Sequence, residues 1–465
     1  MREFEDFPRL STAKVIGRNA IVFVAAVLVG ALLLVLAFLL PTAPMREHIE
    51  SEIDVLEDNY SMQPYPDRPN AEIDHMMDYH MLAMAVNQSS ENVFKQAMGC
   101  YYKLPEGSVD QIGILKETVS PREGAPEAPY ARYWHGYLAP LKIELLFADY
   151  YSITLYNGVA LLALLAYVVV LMVRRGVDRY IPALLLAFGL VSPVSVSMSM
   201  SYYPCAYVVL IALAVLLKCD RRLEEKQLIG TTFMLAGMAT SYLDFLTAPI
   251  VTLGFPLAMY AILLNERDGL AWKKLIFLPI YWGVGYVGMW AAKWLVGMAV
   301  LQQDVIAEAL GQITTRTSTH VGNAAGALET DSLTYADVIG RNLNTLAGPI
   351  SSKAILVVYA LASVGVVLVQ LRRGRGTKST KAALALVLVL FVASLLPFAW
   401  SRALENHTYM HAYFTFRIFS LTVFALASIP FAFVQGASRE VEDEPRGNPA
   451  RERESGPRAG RHFSS

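Results

Sequence analysis

NAIVFVAAVLVGALLLVLAFLL, residues 19–40, is the stretch that decides the fold. It lies within 27 consecutive uncharged residues between Arg18 and Arg46. A hydrocarbon core about 30 Å thick needs roughly 20 apolar residues in a helix, so this stretch is long enough to cross one. Arg2, Arg9, Lys14 and Arg18 precede it. A cleavable signal has a shorter apolar core and a small-residue cleavage site. This run ends in Leu-Leu-Pro-Thr-Ala-Pro instead and reads as an uncleaved anchor.

The rest of the chain agrees with that reading. It is 465 residues long and 55% hydrophobic, with only 17% charged residues, against roughly 25% in an average soluble domain. Its mean hydropathy is +0.39. A soluble enzyme, a nucleic-acid binder and a disordered scaffold are excluded, and the lipid bilayer becomes the first partner. The three cysteines, Cys100, Cys205 and Cys219, form no CxxC and supply no disulfide framework.

Further spans are predicted at about 151–173, 180–198, 203–217, 227–242, 247–265, 275–300, 353–371, 382–400 and 409–435. Residues 227–265 carry one charge, Asp244. As one helix of 1.5 Å per residue they would be about 58 Å long, nearly twice the bilayer, so they fold back near Asp244. Residues 180–217 split likewise at Pro193, the serine run and Pro204. Ten spans place both termini on one side. The N-terminus, 174–179, 218–226, 266–274, 372–381 and the C-terminal tail hold 25 of the 39 Lys and Arg residues. Positive charge marks the cytoplasm.

The sequence therefore predicts an all-α polytopic membrane protein of the cell (plasma) membrane, with about ten transmembrane helices and a large, partly helical first extracytoplasmic loop. Residues 1–18 form a cytoplasmic N-terminus and 19–435 the membrane domain. Segments 42–147 and 301–352 face outward, with a short outer turn at 401–408. Residues 436–465, with six Arg against six acids, read as a disordered cytoplasmic tail. Segment 42–147 is acidic, with 17 Asp and Glu against 8 Lys and Arg. Asn59, Asn87 and Asn406 open Asn-x-Ser/Thr triplets on outward segments, which matter only in a cell that glycosylates its proteins.

The candidate chemistry lies on those outer segments. Within 71–86, Ile73, Met76, Met77, Met81 and Met84 recur at helical spacing, while Asp74 and Asp78 are i and i+4 and share a face. Two close carboxylates repel, so one keeps a raised pKa and can take a proton near neutrality; a solvated acidic face on an interfacial helix would give the same pattern. Arg132-Tyr-Trp-His-Gly precedes the second span. Its aromatics suit the membrane interface, and Arg132 at that boundary is able to clamp a phosphate. His135 is the other polar member. Before the last span His407 and His411 are i and i+4. In a continuous helix Arg417 would lie about 12 Å below Tyr409, deep enough to demand a polar cavity or an ion pair. Lys293, between Trp290 and Trp294, either snorkels outward or faces the bundle. Asp244 sits at an outer turn. No HExxH is present, and no metal or other cofactor is expected. These groups lie on one side, and no ladder of charges crosses the membrane.

The layout resembles the GT-C class of integral-membrane glycosyltransferases. The similar pieces are Asp74 and Asp78 ahead of a helix, Arg132-Tyr-Trp-His-Gly before the second span, and 406–417 opening the last. Similar strings occur in large bacterial membrane proteins that look like uncharacterised members of the class. The resemblance covers about 19–435 by architecture, and it departs from several such families in lacking an adjacent Asp-Glu pair in the first loop. It implies a polyprenyl-phosphate-linked sugar donor, a glycan, lipid or protein acceptor, and a catalytic acid in that loop, among Asp54, Asp58, Asp74 and Asp78. Asp78 or Asp74 would be the general base. Arg417, Arg132 and Lys293 would hold phosphate, and His135, His407 and His411 would orient the sugar or donor. Two rivals remain. A transporter or flippase of lipid-linked glycans would show broken helices at the midplane and paired half-repeats. A glycan polymerase or ligase usually carries its large outer loop late in the chain.

Overall fold

The computed structural model describes residues 10–59, 67–89, 91–107, 109–267, 270, 272–322, 328–372 and 380–434. The tail at 436–465, expected to be disordered, lies outside them, as do residues 1–9 of the N-terminus. Helices dominate. Among the described residues strands occur only as two short antiparallel ribbons, Tyr102–Lys103 with Glu127–Ala128 and His320–Gly322 with Leu328–Ser332.

Among the described residues six helices are long and apolar enough to cross a membrane: Thr12–Phe38, Tyr150–Arg174, Tyr203–Glu225, Trp272–Leu301, Lys381–Ala403 and Ala412–Phe433. The bent pair Tyr335–Ala347 and Ser352–Gly365 makes a seventh if counted as one span. The other three expected spans are shorter helices. Segment 180–198 breaks into Ile181–Leu190 and Pro193–Met198, because Ser192 turns left-handed, at φ 55°, before Pro193. Segments 227–242 and 247–265 become Ile229–Leu243, of 15 residues, and Val251–Arg267, of 17. Residues 251–265 are buried without interruption. Such a helix is wrapped by its neighbours and meets no lipid, so lipid thickness does not set its length. Ile229–Leu243 packs backbone to backbone on Leu278–Leu301. A Cβ at Gly237 would stand 2.2 Å from the Trp282 carbonyl oxygen, and one at Gly285 would stand 2.0 Å from that of Met234, the small-residue packing that membrane helices favour.

Arg18 and the segments 174–179, 218–226 and 266–274, expected to be basic and cytoplasmic, gather on one face, while most of 372–381 lies outside the described residues. Arg18 donates to the Lys226 carbonyl at 3.0 Å and to that of Gln227. Asp220 joins Arg175 at 2.7 Å to Arg267 at 3.0 Å, and Glu224 joins Arg267 at 2.7 Å to Lys274 at 3.4 Å. Arg179 pairs with Glu266 and donates to the Phe431 carbonyl at 3.3 Å.

The opposite face carries segment 42–147, docked on the bundle by main-chain contacts. Trp134 Nε1 donates to the Met289 carbonyl at 2.6 Å, and the Gly136 N–H donates to that of Tyr242 at 2.8 Å. Only glycine fits at 136, since a Cβ there would lie 2.1 Å from the Tyr242 ring. The helix predicted to be amphipathic, His75–Val86, is instead buried on nearly every side, with only Met76 and Met77 partly exposed. The outer segment has its own core, and this helix runs through it.

Candidate functional site

The two carboxylates are together and buried, which removes the solvated-face reading. Asp74 is the N-cap of His75–Val86, accepting the Met77 N–H at 3.3 Å. Asp78 follows one turn on. It accepts Tyr150 Oη at 2.7 Å, Met200 N at 2.9 Å, Ser201 N at 3.2 Å and Ser199 Oγ at 3.3 Å. Asp78 is completely inaccessible to solvent, so these four donors take up its oxygens. It fastens the outer helix to the start of the second span and to the turn 199–201. Burial pushes Asp78 up to about 7, against the pull of Tyr150 and the two N–H groups, and Asp74's charge adds to the rise. Asp74 is raised by burial to about 6, with the Met77 N–H, Arg417 and the Tyr413 hydroxyl opposing. Tyr150 donates to Asp78, so His75 Nδ1–H donates to Tyr150 Oη at 3.0 Å. His75 Nε2 is then a buried acceptor without a partner. Burial lowers the His75 pKa to about 4, so the ring is neutral.

Arg417 closes the other side. The last span is not the continuous helix expected. It turns at His411, and Phe416–Phe419 is a 3₁₀ segment carrying Arg417. Arg417 Nη1 donates to the Tyr413 carbonyl at 3.0 Å and Nη2 to that of Glu72 at 3.3 Å. The guanidinium lies 3.8 Å from the Tyr202 ring centroid. It is 6% exposed, its Nε has no partner, and it forms no ion pair among the described residues. The Tyr202 hydroxyl, near Asp74 and Arg417, makes no hydrogen bond of good geometry among the described residues. Asp74, Tyr202, Tyr413 and Arg417 thus converge from the outer segment, the turn before the third long helix and the last span.

The other predicted residues form two further groups. Arg132 pairs with Glu308 at 2.6 Å, donates to Tyr130 Oη at 3.0 Å and stacks 4.3 Å from that ring's centroid. His135 sits at φ 54° with both nitrogens used: Tyr137 Oη donates to Nδ1 at 2.8 Å, and Nε2–H donates to the Tyr130 carbonyl at 2.7 Å. Lys293 does not snorkel. It is fully buried and donates to the Met98 carbonyl at 2.7 Å, in the last turn of Val93–Gly99. Positive charge suits a helix C-terminus, and this contact ties the outer segment to its span.

His407 Nδ1 accepts Arg316 Nη1 at 3.1 Å, and Nε2–H donates to the Leu246 carbonyl at 2.9 Å. His411 packs beside it, with ring centroids 4.8 Å apart. Burial and the Arg316 charge lower both histidines, so both are neutral. Asp244 is buried, accepting the Thr247 N–H at 3.0 Å and the Thr247 hydroxyl. Its turn links the two groups, because Phe245 packs on His135 at 5.2 Å while Leu246 holds His407.

Sequence reasoning missed His75, Tyr150, Tyr202, His80 and Arg316. The tyrosines sit where interfacial aromatics are ordinary, and nothing local marks them. His80 packs between Tyr102 and Tyr130, at 4.3 and 5.1 Å. Arg316 had a usable signal, an outward Arg in 301–352. Among the described residues no group of three or more His, Cys, Asp or Glu is placed to hold a metal. Comparison with protein-family models, curated proteins and solved structures finds no match.

Proposed function

We propose that the chain is a membrane glycosyltransferase of GT-C type, with about ten membrane-crossing or membrane-embedded segments, basic loops in the cytoplasm and its reaction at the opposite face. It would move a sugar from a polyprenyl phosphate to a glycan, lipid or protein acceptor. The observation that carries this reading is the pairing of Asp74 with Arg417. Both are buried, they act on each other electrostatically without a salt bridge between them, neither forms a salt bridge to any other described residue, and both sit where the outer segment meets the last span. A buried guanidinium with an unpartnered Nε is prepared for an oxyanion, and the planar fork suits phosphate. The sugar phosphate is already a good leaving group. The protein has to place the acceptor hydroxyl in line, remove its proton and neutralise the departing phosphate. Asp74 serves as base and Arg417 as phosphate partner. A carboxylate raised to about 6 is mostly ionised at neutral pH yet basic enough to take a proton. Asp78, occupied by four donors, positions the helix that carries Asp74. Lys293 and His135 support the same scaffold, and Arg132, His407 and His411 border it.

The test is binding of a polyprenyl-phosphate analogue to the purified protein. Arg417→Ala should lose binding while remaining inserted, and Arg417→Lys should restore only part of it, having charge without the fork. Normal binding by Arg417→Ala would assign the guanidinium to the fold and withdraw this reading.

A further inference from the structure

A crevice of about 1330 Å³ opens at the basic face, far from the acid pair. It exceeds the roughly 300–1,000 Å³ of sites for drug-sized ligands. Its walls are Thr12–Phe38 on one side and Ile229–Leu243 with Leu278–Leu301 on the other. It runs along the first helix from Ile16 to Val24, about 12 Å, and along its facing helix from Phe277 to Gly288, about 17 Å. That depth is half of a hydrocarbon core about 30 Å thick. The crevice is one leaflet deep, matching an acyl chain rather than a spanning peptide.

Its polar groups lie at the mouth. Arg221, Arg267, Lys273 and Lys274 face Glu224 and Glu225 there. Glu224 is engaged by Arg267 at 2.7 Å, Lys274 at 3.4 Å and the Tyr260 hydroxyl at 2.5 Å. Arg221, Lys273 and Glu225 form no ion pair among the described residues, and the four cations against two acids leave the mouth positive. Below them Asn19 accepts the Thr231 hydroxyl at 2.7 Å, so its NH₂ is a donor on an otherwise apolar wall. The walls are preformed, because Arg18 pins the first helix to the carbonyls of Lys226 and Gln227.

We infer that this crevice binds a phospholipid with an anionic headgroup, taken from the leaflet on the basic face. Its phosphodiester sits between Arg221 and Lys273, and an acyl chain fills the gap lined by Phe23, Ile280 and Val284. The inference is independent of the glycosyltransferase reading, whose site lies at the other face.

The purified full-length protein, presented with phosphatidylglycerol or phosphatidylcholine in mixed micelles, is examined by native mass spectrometry. Phosphatidylglycerol should be retained preferentially, by about fivefold for each of the two unpaired cations. Arg221→Gln with Lys273→Gln should bring that preference close to unity. Val284→Trp should abolish retention of either lipid, and Ala20→Trp fills the crevice from the facing wall if the first variant does not fold. Leu295→Trp, on the exposed side of the same helix but outside the crevice, should retain lipid normally. Equal retention of both lipids by the unaltered protein, or undiminished phosphatidylglycerol in a folded tryptophan variant, would overturn the inference.

Discussion

The two faces of this molecule handle buried charge in opposite ways. On the basic face the acids of the described residues that leave water meet cations: Asp220, 1% exposed, is held by Arg175 and Arg267, and the half-buried Glu224 by Arg267 and Lys274. On the opposite face Lys142, Lys293 and Arg417 are buried without a salt bridge among the described residues and donate to main-chain carbonyls. Asp74, Asp78 and Asp244 are buried there with N–H and O–H donors instead of salt bridges. An unpaired buried charge costs several kcal/mol. A structural end of a bundle neutralises such charges internally. An end that accepts a charged ligand leaves some of them for it.

That contrast can be broken by substitution. The largest effect is expected from Asp74→Asn. Asn caps a helix as well as Asp, so the variant should fold, while glycan transfer in membranes should fall by the roughly 10²–10⁴-fold typical of losing a general base. Undiminished transfer would remove Asp74 from the chemistry. On the basic face, Asp220→Asn leaves the Arg175 guanidinium without its acid and Arg267 with Glu224 alone. It should lower unfolding stability in detergent by about 2–3 kcal/mol, under the 3–5 typical of a fully buried pair because Arg175 keeps some contact with water; transfer by the protein that remains folded should be unchanged. A melting temperature equal to that of the unaltered protein would show that the cluster is dispensable.

Asp78→Asn falls between these cases. The new amide NH₂ cannot accept the donors that now reach that oxygen, so roughly 1–2 kcal/mol of stability should be lost. Transfer should fall less than in Asp74→Asn, and the reverse order would make Asp78 the base. The smallest effects are those of pH. A general base must be ionised, so transfer should decline as pH falls through about 6, the value to which burial raises Asp74. Asp78 is raised from 3.8 to about 7. Between those values the native state binds more protons than the unfolded chain, so this group's contribution to stability diminishes as pH rises through the window. Melting curves from pH 5 to 8 should show that slope, and Asp78→Asn should flatten it.

The faces also differ in how far the sequence foretold them. The clustering of basic loops followed from charge counting, because lipid admits no exposed charge and each short loop must go to one side. At the outer face the spacing of Asp74 and Asp78 put both acids on one helix, and in the structure Asp74 is that helix's N-cap with Asp78 in its first turn. It did not reveal that the helix is buried, since its apolar residues read equally well as an interfacial stripe. Nor did it separate the two acids' environments. Asp78 meets its donors from Tyr150 and from residues 199–201, more than 70 positions away.

By itself the sequence determined that this chain is helical and lives in a membrane. Runs such as 19–40 have only one way to satisfy their backbone in hydrocarbon, and that constraint is local. Tertiary structure decided what each polar group does. Lys293 could have snorkelled but meets the Met98 carbonyl, and Arg132 could have met a ligand but meets Glu308. Arg417 lies in a 3₁₀ break against Tyr202, not on a continuous helix. Tertiary packing likewise buried residues 251–265 of Val251–Arg267 among neighbouring helices, so a segment counted as a span falls short of a span's length. Those outcomes depend on residues distant in the chain arriving at one place, and neither hydropathy nor spacing encodes the arrival.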